Sequence, residues 1–302
     1  MTVADKRVQF DFEIDFSNGG GIQGQGFRLD IDGDDIDDAV LADSIVRDLR
    51  LLMVGAVRVL HKRIIVERHK RATAAAAANA SGVRRIDLSH VLEDGMITYQ
   101  GLPAPIVCDH LSRAQSRAHY AEGTAFQIGK ISMVANTGTY IDSPYHRFED
   151  GKDIAGFDLD EVAGLDGVVA RVTGMDGRAI DHRVFLPLEV RGKAVLVHTG
   201  WDRHWRTDRY FEGHPFLTAD AADYLRDHGA RLVGIDSLNI DDTADGKRPV
   251  HTTLLGAGIP IVEHLCGLER LPAGGFHFSA VPAKVKGMGA FPVRAYATVA
   301  VA

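Results

Sequence analysis

The stretch NTGTYIDSPYH, residues 136–146, puts Asp142 and His146 on one short segment beside Gly138, Pro144 and two tyrosines. Pro144 fixes its own φ and biases Ser143 away from helix. Gly138 allows a backbone conformation that other residues resist. A carboxylate and an imidazole held this way suit a divalent ion. They equally suit an acid/base pair. The same pattern also arises in a plain polar loop following a strand, so the stretch alone leaves three readings open.

Two further segments bear on it. RPVHTTLLGAGIPIVEHL, residues 248–265, presents His251 and Glu263 on either side of an apolar run broken by glycines and Pro260. It predicts a helical turn leading into a buried strand. Glu263 lies among Ile261, Val262 and Leu265, where a carboxylate is costly to bury unless it is paired or metal-bound. His264 is expected to point away from Glu263 if the segment is extended. VHTGWDRHW, residues 197–205, ends an apolar strand and follows it with Trp201, either a pocket wall or a core side chain. GIDSLNID, residues 234–241, sets Asp236, Asn239 and Asp241 after another strand. Strand ends of α/β sheets line ligand crevices, but turn capping is the favoured reading of these three.

Other chemistries lack their signatures. No GxSxG elbow, dinucleotide-binding glycine pattern or phosphate-binding loop occurs in the required context. Cys108, ahead of Asp109 and His110, reads as a small thiol rather than a nucleophile. The two cysteines, Cys108 and Cys266, admit one disulfide but do not make a secreted scaffold.

The 302 residues are 45% hydrophobic and 25% charged, enough for one large or two smaller packed domains. A formal net charge of −7 gives no basic footprint for nucleic acid or anionic membrane, and favours a small-molecule substrate. The start MTVADKRVQF has no apolar signal-peptide core, and no apolar run is long enough to span a bilayer. The expectation is a cytoplasmic protein with neither nucleic-acid nor membrane partner.

The first eighty residues differ from the rest. VQFDFEIDF and FRLDIDGDDI alternate apolar and polar residues and predict a hairpin joined by the turn-rich SNGGGIQGQG. DDAVLADSIVRDLRLLM has helical spacing with acids at its start, and AVRVLHKRIIVERH suggests a third strand. DIDGDD lacks the spacing of a calcium loop and reads as an acidic hairpin edge. RATAAAAANASG reads as a linker, so residues 1–82 form a ββαβ appendage with an alanine-rich linker and residues 83–302 an α/β domain. Within the latter, GVVARV, KAVLVHTG, RLVGIDS and PVRAYATVAV predict strands, and TADAADYLRDHG a helix with Thr218 as N-cap and Gly229 as stop.

Taken together, residues 84–302 resemble the metal-dependent cyclase family, which includes kynurenine formamidases (arylformamidases) and isatin hydrolase. The family hallmark H-x-G-T-H-x-D-x-P-x-H is matched by NTGTYIDSPYH, and DLSHVLEDGMITYQG, VHTGW, GIDSLNID, PVHTTLLGAGIPIVEHL and VPAKVKGMGAFPVRAYA follow in the family's order. The resemblance implies a compact mixed-sheet α/β fold and a homodimer or homotetramer. It implies that Asp142, His251 and Glu263 are metal ligands and that His146 shuttles protons.

The departure is equally specific. Asn136 and Tyr140 stand where the family has two metal-binding histidines. Asn is a weak oxygen ligand, and Tyr ligates only as phenolate. The expectation is therefore a single Zn or Mn ion, or none. The implied activity is hydrolysis of an amide, lactam or lactone carbonyl by metal-activated water. Tyr140 and Asn136 would then be free to donate to a developing oxyanion, and Trp201 would bound a flat substrate. The alternatives are a metal-free Tyr140/His146 acid–base cyclase or isomerase, and a binding protein without turnover.

Overall fold

Strict alternation along β1 (Lys6–Phe16) buries Val8, Phe10, Phe12 and Ile14 on one face. β2 (Gly21–Asp30) and β3 (Val54–Val66) pair antiparallel on either side of it. Helix α1 (Asp38–Asp48) adds Leu41 and Ile45, one turn apart, to the same apolar cluster. Asp37 caps it, its side chain accepting from the Ala39 N–H at 2.8 Å. The turn of the hairpin is tighter than the sequence predicts. Gly21–Gly26 already run as strand paired with β1, and Gly24 leaves room for the Phe12 ring, which a Cβ there would meet at 2.3 Å. The computed structural model describes residues 6–31, 33–49, 51, 53–66 and 82–301, and the chain divides into two units between residues 81 and 82. Residues 71–81 of the alanine-rich stretch lie outside the described residues.

The second unit is built on a nine-stranded mixed sheet. Its elements in chain order are β4 (Val83–Asp87), the hairpin β5 (Ile106–Leu111) and β6 (Ile128–Ser132) with α2 (Arg113–Ser116) between them, β7 (Tyr140–Asp142), α3 (Leu159–Val162), β8 (Leu165–Arg171), β9 (Ala179–Ile180), β10 (Ala194–His198), β11 (Phe216–Leu217), α4 (Ala219–Asp227), β12 (Leu232–Ile235), α5 (Pro249–Gly256), β13 (Ile261–Glu263), β14 (Gly274–Ser279), β15 (Ala290–Pro292) and β16 (Tyr296–Ala300). The spatial order is β15-β7-β13-β12-β10-β8-β14-β16-β4, with β9/β11 and β5/β6 as separate pairs. β8, β10, β12 and β13 are mutually parallel, and the flanking strands are antiparallel. A bridge between Ser89, just past the edge strand β4, and Leu265, just past β13, shows that the sheet curls back on itself.

The parallel strands are buried on both faces, as unbroken apolar runs such as AVLVH require. One face carries Ile86, Ile141, Val169, Leu196 and Val262. The other packs Val195, Val197, Val233 and Ile261 against Leu225 of α4 and Val250 and Leu254 of α5. Helix α4 begins after Thr218 and stops at Gly229, whose φ of 74° suits a left-handed helix end. Cys108 and Cys266 are both free thiols, so the disulfide that the count admits is not formed.

Gly167 on β8 is a packing device rather than a turn. A Cβ there would lie 2.1 Å from the ring of Phe276 on β14. Gly167→Val is expected to destabilise the protein by about 1–3 kcal/mol through overpacking. Urea melts should show this loss, whereas Gly246→Ala, with nothing within 4 Å of the added carbon, should melt like the parent.

Candidate metal centre

On β7, side chains alternate, so Tyr140 and Asp142 share one face while Ile141 enters the core on the other. The strand lies between β13 and β15, with Asp142 opposite Ile261 and Ala290 and with Tyr140 opposite Glu263. Asp142 is fully buried. After Ser143, the short 3-10 turn Pro144–His146 folds the imidazole back, bringing His146 Nδ1 to 3.6 Å from Asp142 Oδ1.

His251 comes from the first turn of α5. Asp241 accepts the Val250 N–H at 2.8 Å and the His251 N–H at 3.1 Å. It also accepts from His251 Nδ1 at 2.6 Å. That bond fixes the ring and leaves Nε2 facing Asp142 Oδ2 at 3.6 Å and Glu263 Oε1 at 3.8 Å. Burial works against a charged His251 ring, but the nearby Asp142 carboxylate, the hydrogen bond to Asp241 and the Glu263 charge outweigh it and raise the pKa to about 9.

Glu263 is also fully buried, and both of its oxygens are engaged. Oε1 accepts the Ile240 N–H at 2.7 Å, and Oε2 accepts from Asn239 Nδ2 at 3.3 Å and from the Tyr140 hydroxyl. Burial, with added repulsion from Asp142, raises the Glu263 pKa. Burial and the Glu263 charge likewise hold Tyr140 well above the ordinary phenol value. Tyr140 is therefore a neutral donor to Glu263 and not a phenolate ligand.

The residues present fit a cation. Asp142 Oδ2 and His251 Nε2 are buried and have no hydrogen-bond partner. An anionic oxygen facing a ring nitrogen calls for a positive charge between them, which the Nε2 proton, or a metal ion in its place, supplies. Ligand atoms of Asp142, His146 and His251 all lie within 4.8 Å of one another. The two 3.6 Å separations match the roughly 3.4 Å between neighbouring donors on one tetrahedral ion.

The three grouped donors include His146, whose Nδ1 has no hydrogen bond among the described residues, while both oxygens of Glu263, the other expected ligand, accept from Ile240, Asn239 and Tyr140. The group opens on a cavity of about 200 Å³ lined also by Tyr99, Leu102, Asn136, Asn239 and Arg248.

Asn136 lines this cavity, its Nδ2 3.5 Å from Asp142 Oδ1. Trp201 does not. It is buried against Tyr210 and Leu238 and donates from its indole nitrogen to the Tyr210 carbonyl at 3.0 Å, so it is a core side chain. His264 departs from the extended conformation assumed for it. Its φ is 56°, and its buried ring packs near Tyr99 and Tyr140 and bonds the Leu238 carbonyl at 2.8 Å. Nothing in the sequence signals Tyr99 and Arg248, and for Asn239 and Asp241 turn capping is the favoured reading there. Asp241 and Asn239 carried a usable signal, their position just past a parallel strand.

The Cyclase family model matches residues 86–242, more than half of the chain. The chain belongs to the cyclase family. A kynurenine formamidase of Geobacillus thermodenitrificans is 29% identical over 213 residues, covering 70% of this chain and 95% of that relative. One from Bacillus cereus is 27% identical with the same coverage. Among solved structures, isatin hydrolase A from Labrenzia aggregata superposes with a TM-score of 0.65 at 22% identity, over 77% of this chain and all of that one, a likeness of fold. A protein described as a "predicted metal-dependent hydrolase" from Bacillus stearothermophilus is 27% identical with a TM-score of 0.58, over 72% of this chain and 98% of that one. The matched segment holds β7, β8, β10 and β12 with Asp142 and His146, while His251, Glu263 and strands β13 to β16 lie beyond it. No helix among the described residues is long and apolar enough to cross a membrane.

Proposed function

We propose that the protein is a metal-dependent hydrolase that opens the C–N or lactone carbonyl of a small cyclic or aromatic substrate, working as a homodimer or homotetramer. The observation that carries this reading is the pair Asp142 Oδ2 and His251 Nε2, buried, without hydrogen-bond partners and 3.6 Å apart, with His251 lining a cavity. Kynurenine formamidases and a described metal-dependent hydrolase among its relatives support it.

One Zn or Mn ion held by Asp142, His146 and His251 would polarise the carbonyl and lower the pKa of a water bound beside it. The chain's own residues do the rest. Asp241 takes the Nδ1 proton of His251 and so keeps Nε2 available. Glu263 adds negative charge 3.8 Å from that nitrogen while Tyr140, Asn239 and Ile240 hold it in place. Asn136 and Tyr99 offer polar groups to orient a substrate at the cavity wall. A metal-free Tyr140/His146 acid–base pair finds less support, since the Tyr140 proton is given to Glu263 and His146 Nδ1 faces Asp142.

The test is elemental analysis alongside hydrolysis of a panel of aryl formamides, lactams and lactones. The parent should carry about one divalent ion per chain and turn over a member of the panel. His146→Ala should lose both the ion and turnover. If it keeps the ion and loses only turnover, His146 is a proton carrier and not a ligand.

A further inference from the structure

Arg248 is the cation of the cavity wall, and its position is unusual in three respects. Its backbone is left-handed, with φ of 51°, immediately before Pro249 at the start of α5. A non-glycine residue held there pays a conformational cost that persists where the surroundings impose it. Its Nε is buried without a hydrogen bond. The side chain as a whole keeps 35% of its surface exposed, so the guanidinium is within reach of the cavity's contents.

The nearby carboxylates do not account for it. Asp241 Oδ2 is 3.5 Å from Arg248 Nε, beyond a good hydrogen bond, and its oxygens are already taken by Val250, His251 N–H and His251 Nδ1. Glu263, the largest favourable charge acting on Arg248, is filled by Ile240, Asn239 and Tyr140. A guanidinium carries five N–H donors in a planar fork suited to two oxygens of one anion. Here the acceptors around it are spent on other donors, and the fork is left to face the cavity. Tyr99 and Asn136 on the same wall offer further polar contacts to the same group.

We infer that Arg248 is a substrate-recognition residue and that the substrate carries an anionic group, a carboxylate, beside the carbonyl to be hydrolysed. This deepens the hydrolase reading and rests on it for the word substrate, but recognition of the anion does not require turnover. His146 and His251 of the ion centre and Arg248 line the same cavity, the centre taking the reacting carbonyl and Arg248 the neighbouring carboxylate.

The experiment separates the two. Binding of an aryl carboxylate and of its neutral carboxamide is measured by calorimetry on the Asp142→Ala protein, which is expected not to turn over. The carboxylate should bind at least about tenfold tighter than the amide, as a charge-assisted contact gives. Arg248→Asn should erase that preference. Asn tolerates the left-handed backbone, so this variant removes the guanidinium without loading the turn, and its melting temperature checks the fold. Arg248→Lys should keep part of the preference. In the intact enzyme, Arg248→Asn should raise KM for a carboxylate-bearing amide about 10- to 100-fold and leave that of its neutral counterpart within about threefold. Equal binding of carboxylate and amide by the Asp142→Ala protein, or an unchanged preference in Arg248→Asn, overturns the assignment. Absence of hydrolysis in the parent with the binding preference intact would instead remove the hydrolase reading and leave the anion site standing.

Discussion

Asp142→Ala should abolish both metal retention and hydrolysis. Its carboxylate faces His146 through one oxygen and His251 through the other, each at 3.6 Å, so it bridges both rings. Removing it leaves two imidazoles and no charge between them, and a divalent ion loses the ligand that neutralises it. Asp142 also helps to hold the charged His251 ring, so its loss should lower the melting temperature of the metal-free protein at neutral pH without unfolding it. The expected result is a folded protein that melts somewhat below the metal-free parent, contains no stoichiometric metal and hydrolyses nothing on the panel. An Asp142→Ala protein that still carries one ion per chain would disprove this centre.

The second large effect concerns pH. In the metal-free protein, burial opposes a charged His251 ring but Asp142, Asp241 and Glu263 outweigh it, and the pKa lies at about 9 against an ordinary 6.5. The folded-state value is raised, so the stabilisation is fully present below pH 6.5 and is lost as pH climbs through 9. The shift corresponds to about 3 kcal/mol. Thermal melts of the chelated protein should therefore fall between pH 6.5 and 9. Metal binding must displace the same proton from Nε2. Its affinity should rise about tenfold per pH unit below 9 and level off above it. Titration of the chelated protein with Zn at several pH values measures this. A flat affinity across the range would mean that His251 is neutral before the ion arrives, contrary to the acid-rich surroundings described.

Much of this centre can be read from residue types and order, and the unread parts have a common physical cause. Asp142, His146 and His251 belong to segments whose prolines and glycines fix the backbone, so their chemistry shows in the sequence. A carboxylate among Ile261 and Val262 needs either a partner or a metal, and the family resemblance implies the metal. The partners are Tyr140, opposite it across β7 and β13, and the Asn239–Ile240 turn, and strand register is not visible in spacing. Asp241 looked like a turn cap and is one, since it receives the first N–H groups of α5. That it also holds the His251 ring follows only once Pro249 starts the helix there. Arg248 depends on a left-handed backbone that nothing in its neighbours announces. Trp201 sits at a strand end as expected, yet its indole finds the Tyr210 carbonyl and turns inward.

β7 has one more consequence. Its three residues write two messages in alternation: Tyr140 and Asp142 for the reacting face, Ile141 for the interior. Because neighbours on both sides pin its register, inserting or losing a single residue would turn Ile141 toward the cavity and press a carboxylate into hydrocarbon. Loops elsewhere in the chain are free to change length over evolutionary time. This strand is not, since every change of length there strikes folding and chemistry together, and the site can change only by exchanging side chains in place.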